Sequence, residues 1–225
     1  MRLRDTMKPE SLRRLIDLRH QSEETGATMA ELRGRFEELA GRHENGTAPR
    51  AVAAFNLFQT PADVAARMAA IVTAGVPDAG RVLEPSAGLG RIYRALRAAL
   101  SDSCRVVMVE ESADCCRELY RATEGREGDR LFQRDFLEVG AGDLGGEFDA
   151  ACMNPPFKQG EDMRHIRHAR GMLRQGGLLV SLCYDGARQN ASLRPECDTW
   201  EQLPAGSFRE AGTGAGVVLV TIRKR

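Results

Sequence analysis

Short apolar runs alternate with amphipathic stretches from about residue 51 to the end of the chain. The runs fall at 81–84, 105–110, 130–133, 148–153, 177–184 and 217–223, are rich in Val, Leu and Ile, and are bounded by Gly, Asp or Pro. Runs of that length and composition predict strands. Between them, apolar residues recur at helical spacing over 62–74, 92–100, 113–122 and 163–173. Strands alternating with helices predict an α/β fold with a largely parallel sheet covered on both faces.

The first part of the chain follows a different pattern. Pro9 can open a helix, and Leu12, Leu15, Ile16 and Leu18 follow it among charged residues. After Gly26, the residues Met29, Leu32, Phe36 and Leu39 form a second amphipathic stripe, and 41–49 is a polar connector. We therefore divide the chain into a helical N-terminal extension, 1–50, and an α/β domain, 51–225. No apolar run reaches the roughly 20 residues of a membrane span. The opening MRLRDTMKPE lacks the apolar stretch of a signal peptide, so a cytoplasmic protein is expected.

Charge narrows the partners. The 32 basic and 32 acidic residues cancel, so any contact with nucleic acid must come from a local patch. Lys158, Arg164, Arg167, Arg170 and Arg174 stand against Glu161 and Asp162, a local excess of 5 − 2 = +3, with His165 and His168 among them. That stretch is either a substrate-facing patch or a solvated helix face. A surface position is the plainer expectation for both histidines; lining the substrate entrance is the alternative for Lys158, Arg164 and His165. The six cysteines (104, 115, 116, 152, 183 and 197) include no C-x-x-C pair, and no metal and no disulfide are expected.

In open α/β sheets, ligands bind outside the carboxyl ends of the strands, where the winding reverses. The chemistry-bearing residues cluster at such ends. Glu84-Pro85-Ser86-Ala87-Gly88-Leu89-Gly90 follows the first strand and precedes a helix. Its glycines allow a tight turn and close approach of a ligand, but the leading acid would repel a pyrophosphate and suits a cationic amino-acid end instead. Glu110 ends the second strand 110 − 90 = 20 residues after Gly90, where an acid can accept from both hydroxyls of a ribose. Asp135 and Phe136 end the third; they can take an adenine amino group and cover its ring, or simply cap a turn.

The most specific segment follows the fourth strand, which begins Phe148-Asp149 and runs into Asn154-Pro155-Pro156-Phe157. The prolines make the loop rigid. An Asn amide oxygen and a prolyl carbonyl held side by side can accept two hydrogen bonds from one –NH₂ group. Phe157 offers a face on which a planar group can stack.

With these segments in this order, the chain resembles class I S-adenosylmethionine-dependent methyltransferases, and among them the N6-adenine DNA methyltransferases. The resemblance covers roughly residues 55 to 225. Phe58-Gln59-Thr60-Pro61 looks like the family's cofactor-contacting element before the first helix, Glu84 to Gly90 like its glycine motif, Glu110 like its ribose acid, and Asn154 to Phe157 like its catalytic loop. Gly206-Ser207-Phe208 and Gly212-Thr213-Gly214 before the last strand look like the family's end. The resemblance implies a Rossmann-like, doubly wound seven-stranded sheet with a reversed last strand. It also implies S-adenosyl-L-methionine as cofactor and adenine in DNA as substrate, with RNA adenine or a protein glutamine as alternatives. A non-catalytic cofactor-binding or partner subunit is the alternative of another class. Only 158–176 separates the catalytic loop from the next strand, which leaves no room there for a target-recognition domain. Target specificity would come from the N-terminal helices, short loops, a homodimer or a partner subunit.

Overall fold

The protein is described by a computed structural model covering residues 59–208 and 216–225. The expected N-terminal helices, Phe58 and Gly212 to Gly214 lie outside the described residues. The elements are α1 (Ala62–Gly75), β1 (Arg81–Pro85), α2 (Arg91–Ala99), β2 (Arg105–Glu110), α3 (Ala113–Ala122), β3 (Arg130–Gln133), β4 (Phe148–Met153), α4 (Glu161–Gly171), β5 (Leu173–Tyr184), α5 (Ala187–Ser192), β6 (Thr199–Gln202) and β7 (Val217–Arg223). All seven strands form one sheet in the order β3-β2-β1-β4-β5-β7-β6. The first five in this order run parallel to one another, and β7 runs antiparallel to both β5 and β6. This is the α/β sheet with a reversed last strand that the family resemblance implies.

The strand sequences explain the layers. In β2, Val106 and Met108 point into one apolar cluster while Val107 and Val109 point into another, and all four are buried. A strand buried on both faces must carry helices on both faces. The first cluster takes Met68 and Val72 from α1, Ile92 and Leu96 from α2 and Leu119 from α3. The second takes Met163, Ile166 and Ala169 from α4. Each Val, Leu, Ile or Met side chain among these contributes about 1.5–3 kcal/mol when removed from water. Because α2 and α3 lie on one face and α4 on the other, the winding reverses between β1 and β4.

The structure changes two readings of the apolar pattern. The helix expected to run to 173 ends at Gly171, and Leu173 opens β5 opposite Phe148, where it is fully buried. Pairing with a neighbouring strand outweighs local helical periodicity at that position. The strand at Thr199–Gln202 has no apolar run of its own; its ladder with β7 places it at the sheet edge.

Asp149, grouped in the sequence with the Asn-Pro-Pro-Phe loop, belongs to the other end of β4. Its Oδ2 accepts from the backbone N–H groups of Gly80 and Arg81, at 2.8 Å each, and its Oδ1 accepts from Arg174. Burial pushes this carboxyl up, but the two N–H donors and the guanidinium outweigh it and hold it below the usual aspartate range. A depressed folded pKa stabilises the fold above the unfolded pKa, and that contribution is lost as pH falls through the folded value. Asp149→Asn is therefore expected to cost about 1–3 kcal/mol at neutral pH. Melting curves should show the gap from wild type narrowing as pH is lowered into the acid range.

Candidate active site

Where β1 and β4 diverge, a cleft of about 690 Å³ opens at the carboxyl edge of the sheet. Its floor is the glycine loop after β1. Ser86, Gly88 and Gly90 all have positive φ, at 55°, 55° and 75°. Gly88 and Gly90 adopt this without strain, whereas Ser86 carries a side chain in a region that costs a non-glycine residue about 1–3 kcal/mol. Gly90 is also the residue before α2, and a Cβ there would stand 2.7 Å from Leu119 Cδ2.

Glu110 ties this loop to the next helix. Its Oε2 accepts from Gly88 N and its Oε1 from Ser112 N, both at 2.8 Å. The carboxylate is buried, yet each oxygen keeps a further acceptor position. Held this way at the cleft wall, it suits the two hydroxyls of a ribose. Glu84 is nearly completely buried and lines the same cleft. Burial drives its carboxyl well above the usual range, against a backbone N–H from Tyr93, and nearby Glu110 pushes the same way. Glu84 Oε2 has no hydrogen-bond partner among the described residues. An orphaned buried carboxyl oxygen is costly unless something pairs with it, and an ammonium group would.

The opposite wall is the loop after β4. Asn154, Pro155, Pro156 and Phe157 all line the cleft. Asn154 Nδ2 donates to Thr60 Oγ1 at 3.1 Å, across 94 residues of sequence, and this bond orients the amide. Gln59 accepts from Arg91 at 2.9 Å, which fixes the 59–60 segment on α2. Phe157 is half-buried and packs against the first apolar cluster.

The other sequence-derived residues divide. Ala87, Ser86 and Gly88 line the cleft, whereas Pro61, Pro85 and Gly90 shape the backbone without reaching it. Asp135 caps a single 3-10 turn over Phe136–Glu138, its Oδ1 accepting from Leu137 N at 2.8 Å. That is the turn chemistry weighed for it above, although the residue also borders the cleft. Phe136 is buried between His165 and His168, with ring centroids 5.5 and 4.9 Å away.

Of the two readings of the basic stretch, its ion pairs match the solvated helix face. Arg164 pairs with Glu161, Arg167 and Arg170 both pair with Glu196, and Arg174 pairs with Asp149. Asp162 is buried and accepts from Tyr184 N and from Gln189 Nε2. Lys158 is exposed and does not line the cleft, while Arg164 does. His165 is no surface histidine: it is only 7% exposed, lines the cleft, and its Nδ1 lies 3.3 Å from Ser86 Oγ. Burial lowers its pKa to about 4, so the ring is neutral at neutral pH. The α4 register put it there, because Asp162, Met163, His165, Ile166 and Ala169 share the buried face. Arg91, Ser112 and Arg134 also line the cleft and were missed. Ser112 and Arg134 lie beside Glu110 and Asp135, so position at a strand end was the available signal.

Residues 62–207 match the family model of the methyltransferase small domain. No curated protein matches the chain by sequence. Among solved structures, TrmN from Thermus thermophilus is similar at 20% identity and a TM-score of 0.57, over 73% of this chain. The match spans only 49% of that longer protein. An rRNA methylase from Streptococcus thermophilus is similar at 17% identity and a TM-score of 0.51, over 72% of this chain and 95% of that one. A Burkholderia thailandensis 1,6-didemethyltoxoflavin-N1-methyltransferase, solved with S-adenosylhomocysteine, is similar at 16% identity and a TM-score of 0.54, over 88% and 91%. No helix among the described residues is long and apolar enough to cross a membrane. With its family match covering the fold and a cleft whose acids fit the methyl donor, the chain belongs to the methyltransferase small domain family and is an S-adenosylmethionine-dependent methyltransferase.

Proposed function

We propose that this chain methylates the exocyclic N6 amino group of adenine in DNA. One observation carries the reading. A rigid Asn154-Pro155-Pro156-Phe157 loop, its amide oriented by Thr60, faces the same cleft as Glu84 and Glu110. Glu84 would hold the amino group of S-adenosylmethionine, Glu110 its ribose, and Leu89 and Leu137 the apolar surface beside them. Bound there, the cofactor supplies an electrophilic methyl group on a sulfonium.

The chain's own residues do the rest by position and electrostatics. The Asn154 side-chain oxygen and the Pro155 carbonyl accept the two amino hydrogens. That draws electron density toward the nitrogen and keeps its lone pair directed at the methyl donor. Phe157 stacks on the ring; an adenine taken from a duplex must first leave the base stack. Neutral His165 lets the cleft close around a sulfonium without adding a like charge. RNA adenine is the second reading, favoured by the fold shared with the rRNA methylase. The short segment between the Asn-Pro-Pro-Phe loop and β5 is taken up by α4, so target selection would rest on other parts of the chain or on a partner.

The deciding measurement supplies the purified chain with labelled S-adenosylmethionine and, separately, DNA, RNA and a protein lysate, followed by digestion to nucleosides and amino acids. N6-methyladenine from DNA is the expected product. Label found only in RNA or in glutamine would transfer the mechanism to that substrate. Asn154→Ala is expected to lower kcat/KM by about 100-fold or more. Thr60→Val removes one hydrogen bond that orients the Asn154 amide, and kcat should fall by about tenfold or more. Burial raises the Glu84 carboxyl, and an ammonium beside it favours the ionised form. Glu84→Gln removes that charge and should weaken S-adenosylmethionine binding, measured by calorimetric titration, by about tenfold or more; unchanged affinity would count against Glu84 as the partner.

A further inference from the structure

The arginines of α4 carry acidic partners, but another set does not. A second groove of about 470 Å³ lies toward the amino ends of β1, β2 and β3, and Arg81, Arg105 and Arg130 all line it. The pairing register explains their convergence. Arg81 stands opposite Arg105, and Arg130 opposite Val107, two residues beyond Arg105. In-register residues of parallel strands share a face, as do alternate residues within one strand.

None of the three forms an ion pair among the described residues. Arg81 is held rigid by the Gly145 and Leu144 carbonyls, at 2.6 and 2.7 Å, and lies over the Phe148 ring. Arg130 donates to the Glu127 and Asp129 carbonyls, at 2.6 and 3.0 Å. The Arg105 guanidinium is exposed and has no partner among the described residues. Asp143 is the acid among the lining residues, and its Oδ2 already accepts from Gly140 N at 2.8 Å.

This groove is connected to the cleft along the sheet edge. β3 is an outer strand; Arg130 and Phe132 occupy alternate positions along it, and Arg134 directly follows its last residue, Gln133. Arg130 and half-buried Phe132 line the second groove, and exposed Arg134 lines the cleft. Arg130 and Arg134 are thus at most about 13 Å apart along the backbone, at about 3.3 Å per residue. Cations alternating with an aromatic ring are the chemistry that tracks a single-stranded backbone, phosphates on the charges and a base on the ring.

We propose that the β3 edge is a phosphate track. It takes the single-stranded flank of the nucleic acid from the cleft mouth at Arg134, past Phe132, to Arg130, Arg105 and Arg81. The proposal rests on the reading that the substrate is a nucleic acid. It gives a chain with no net charge a localised place to hold a polyanion.

The test uses the full chain and fluorescence anisotropy over a salt series. One probe is a labelled single-stranded oligonucleotide long enough to pass the cleft, and the other is a trinucleotide that fills the cleft only. The variants are Arg105→Glu with Arg130→Glu, and the milder Arg105→Gln with Arg130→Gln; unchanged S-adenosylmethionine binding confirms that each is folded. The long probe should bind the charge-reversed protein about tenfold more weakly, and the slope of log K against log salt should be shallower by about 1.4 for two lost contacts. The trinucleotide should be unaffected. Equal affinity and slope for the long probe, or no binding of it by wild type, would overturn the proposal. So would inorganic phosphate binding that is lost in the variant while oligonucleotide binding is kept, which would mark a small-anion site. A variant-sensitive affinity without methyl transfer to either nucleic acid would sink the adenine reading and keep the track. Methyl transfer with an insensitive affinity would do the reverse.

Discussion

Strand β1 lies between β2 and β4, parallel to both, so the three carboxyl ends finish at one edge of the sheet. The helices that follow must turn to opposite faces, because the chain winds outward in both directions from this point. The cleft lies between them. Glu84, Glu110 and Asn154 line one cleft because each lies at, or immediately after, the carboxyl end of one of these strands. Glu110 then locks the arrangement by accepting N–H donors from the loop after β1 and from the start of α3.

The electrostatic design divides the molecule. The cleft holds two buried acids and a histidine kept neutral by burial, a setting that favours a cationic ligand over a phosphate. Basic side chains next to the catalytic loop are largely consumed by ion pairs to Glu161, Glu196 and Asp149. Exposed pairs of this kind contribute little to stability, but they do remove net charge from the face of α4. Arg81, Arg105 and Arg130, which have no acidic partner among the described residues, lie instead on the β1-β2-β3 face, separated from the buried acids by the length of a strand. A site for a sulfonium and a surface for a polyanion can coexist on one small domain when they are kept apart in this way.

Much of this was legible in the residues. Strand ends could be found because apolar runs stop abruptly at Glu84, Glu110 and Asn154, and a charged or amide group directly after a buried strand has few structural reasons to be there. The Asn-Pro-Pro-Phe loop is rigid by covalent geometry alone, so its chemistry could be read without coordinates. The seven-stranded order with a reversed last strand followed only from family resemblance, because β6 has no apolar run and exists through its ladder with β7. Charge counting failed on α4, since it gave every ionisable residue equal weight; Asp162 is buried and four of the arginines have partners distant in sequence or one helical turn away.

By itself, the sequence determined the local features: where elements begin, which loops are rigid, and which chemical groups stand at strand ends. These depend on covalent geometry and short-range periodicity, and both are written in neighbouring residues. Tertiary structure alone decided which groups meet. Thr60 reaches Asn154 across 94 residues, Ser86 reaches His165 across 79, and Arg81, Arg105 and Arg130 converge through strand register. Burial also exists only in the folded chain, and it is burial that raises the Glu84 carboxyl and keeps His165 neutral, because desolvation penalises whichever protonation state carries charge.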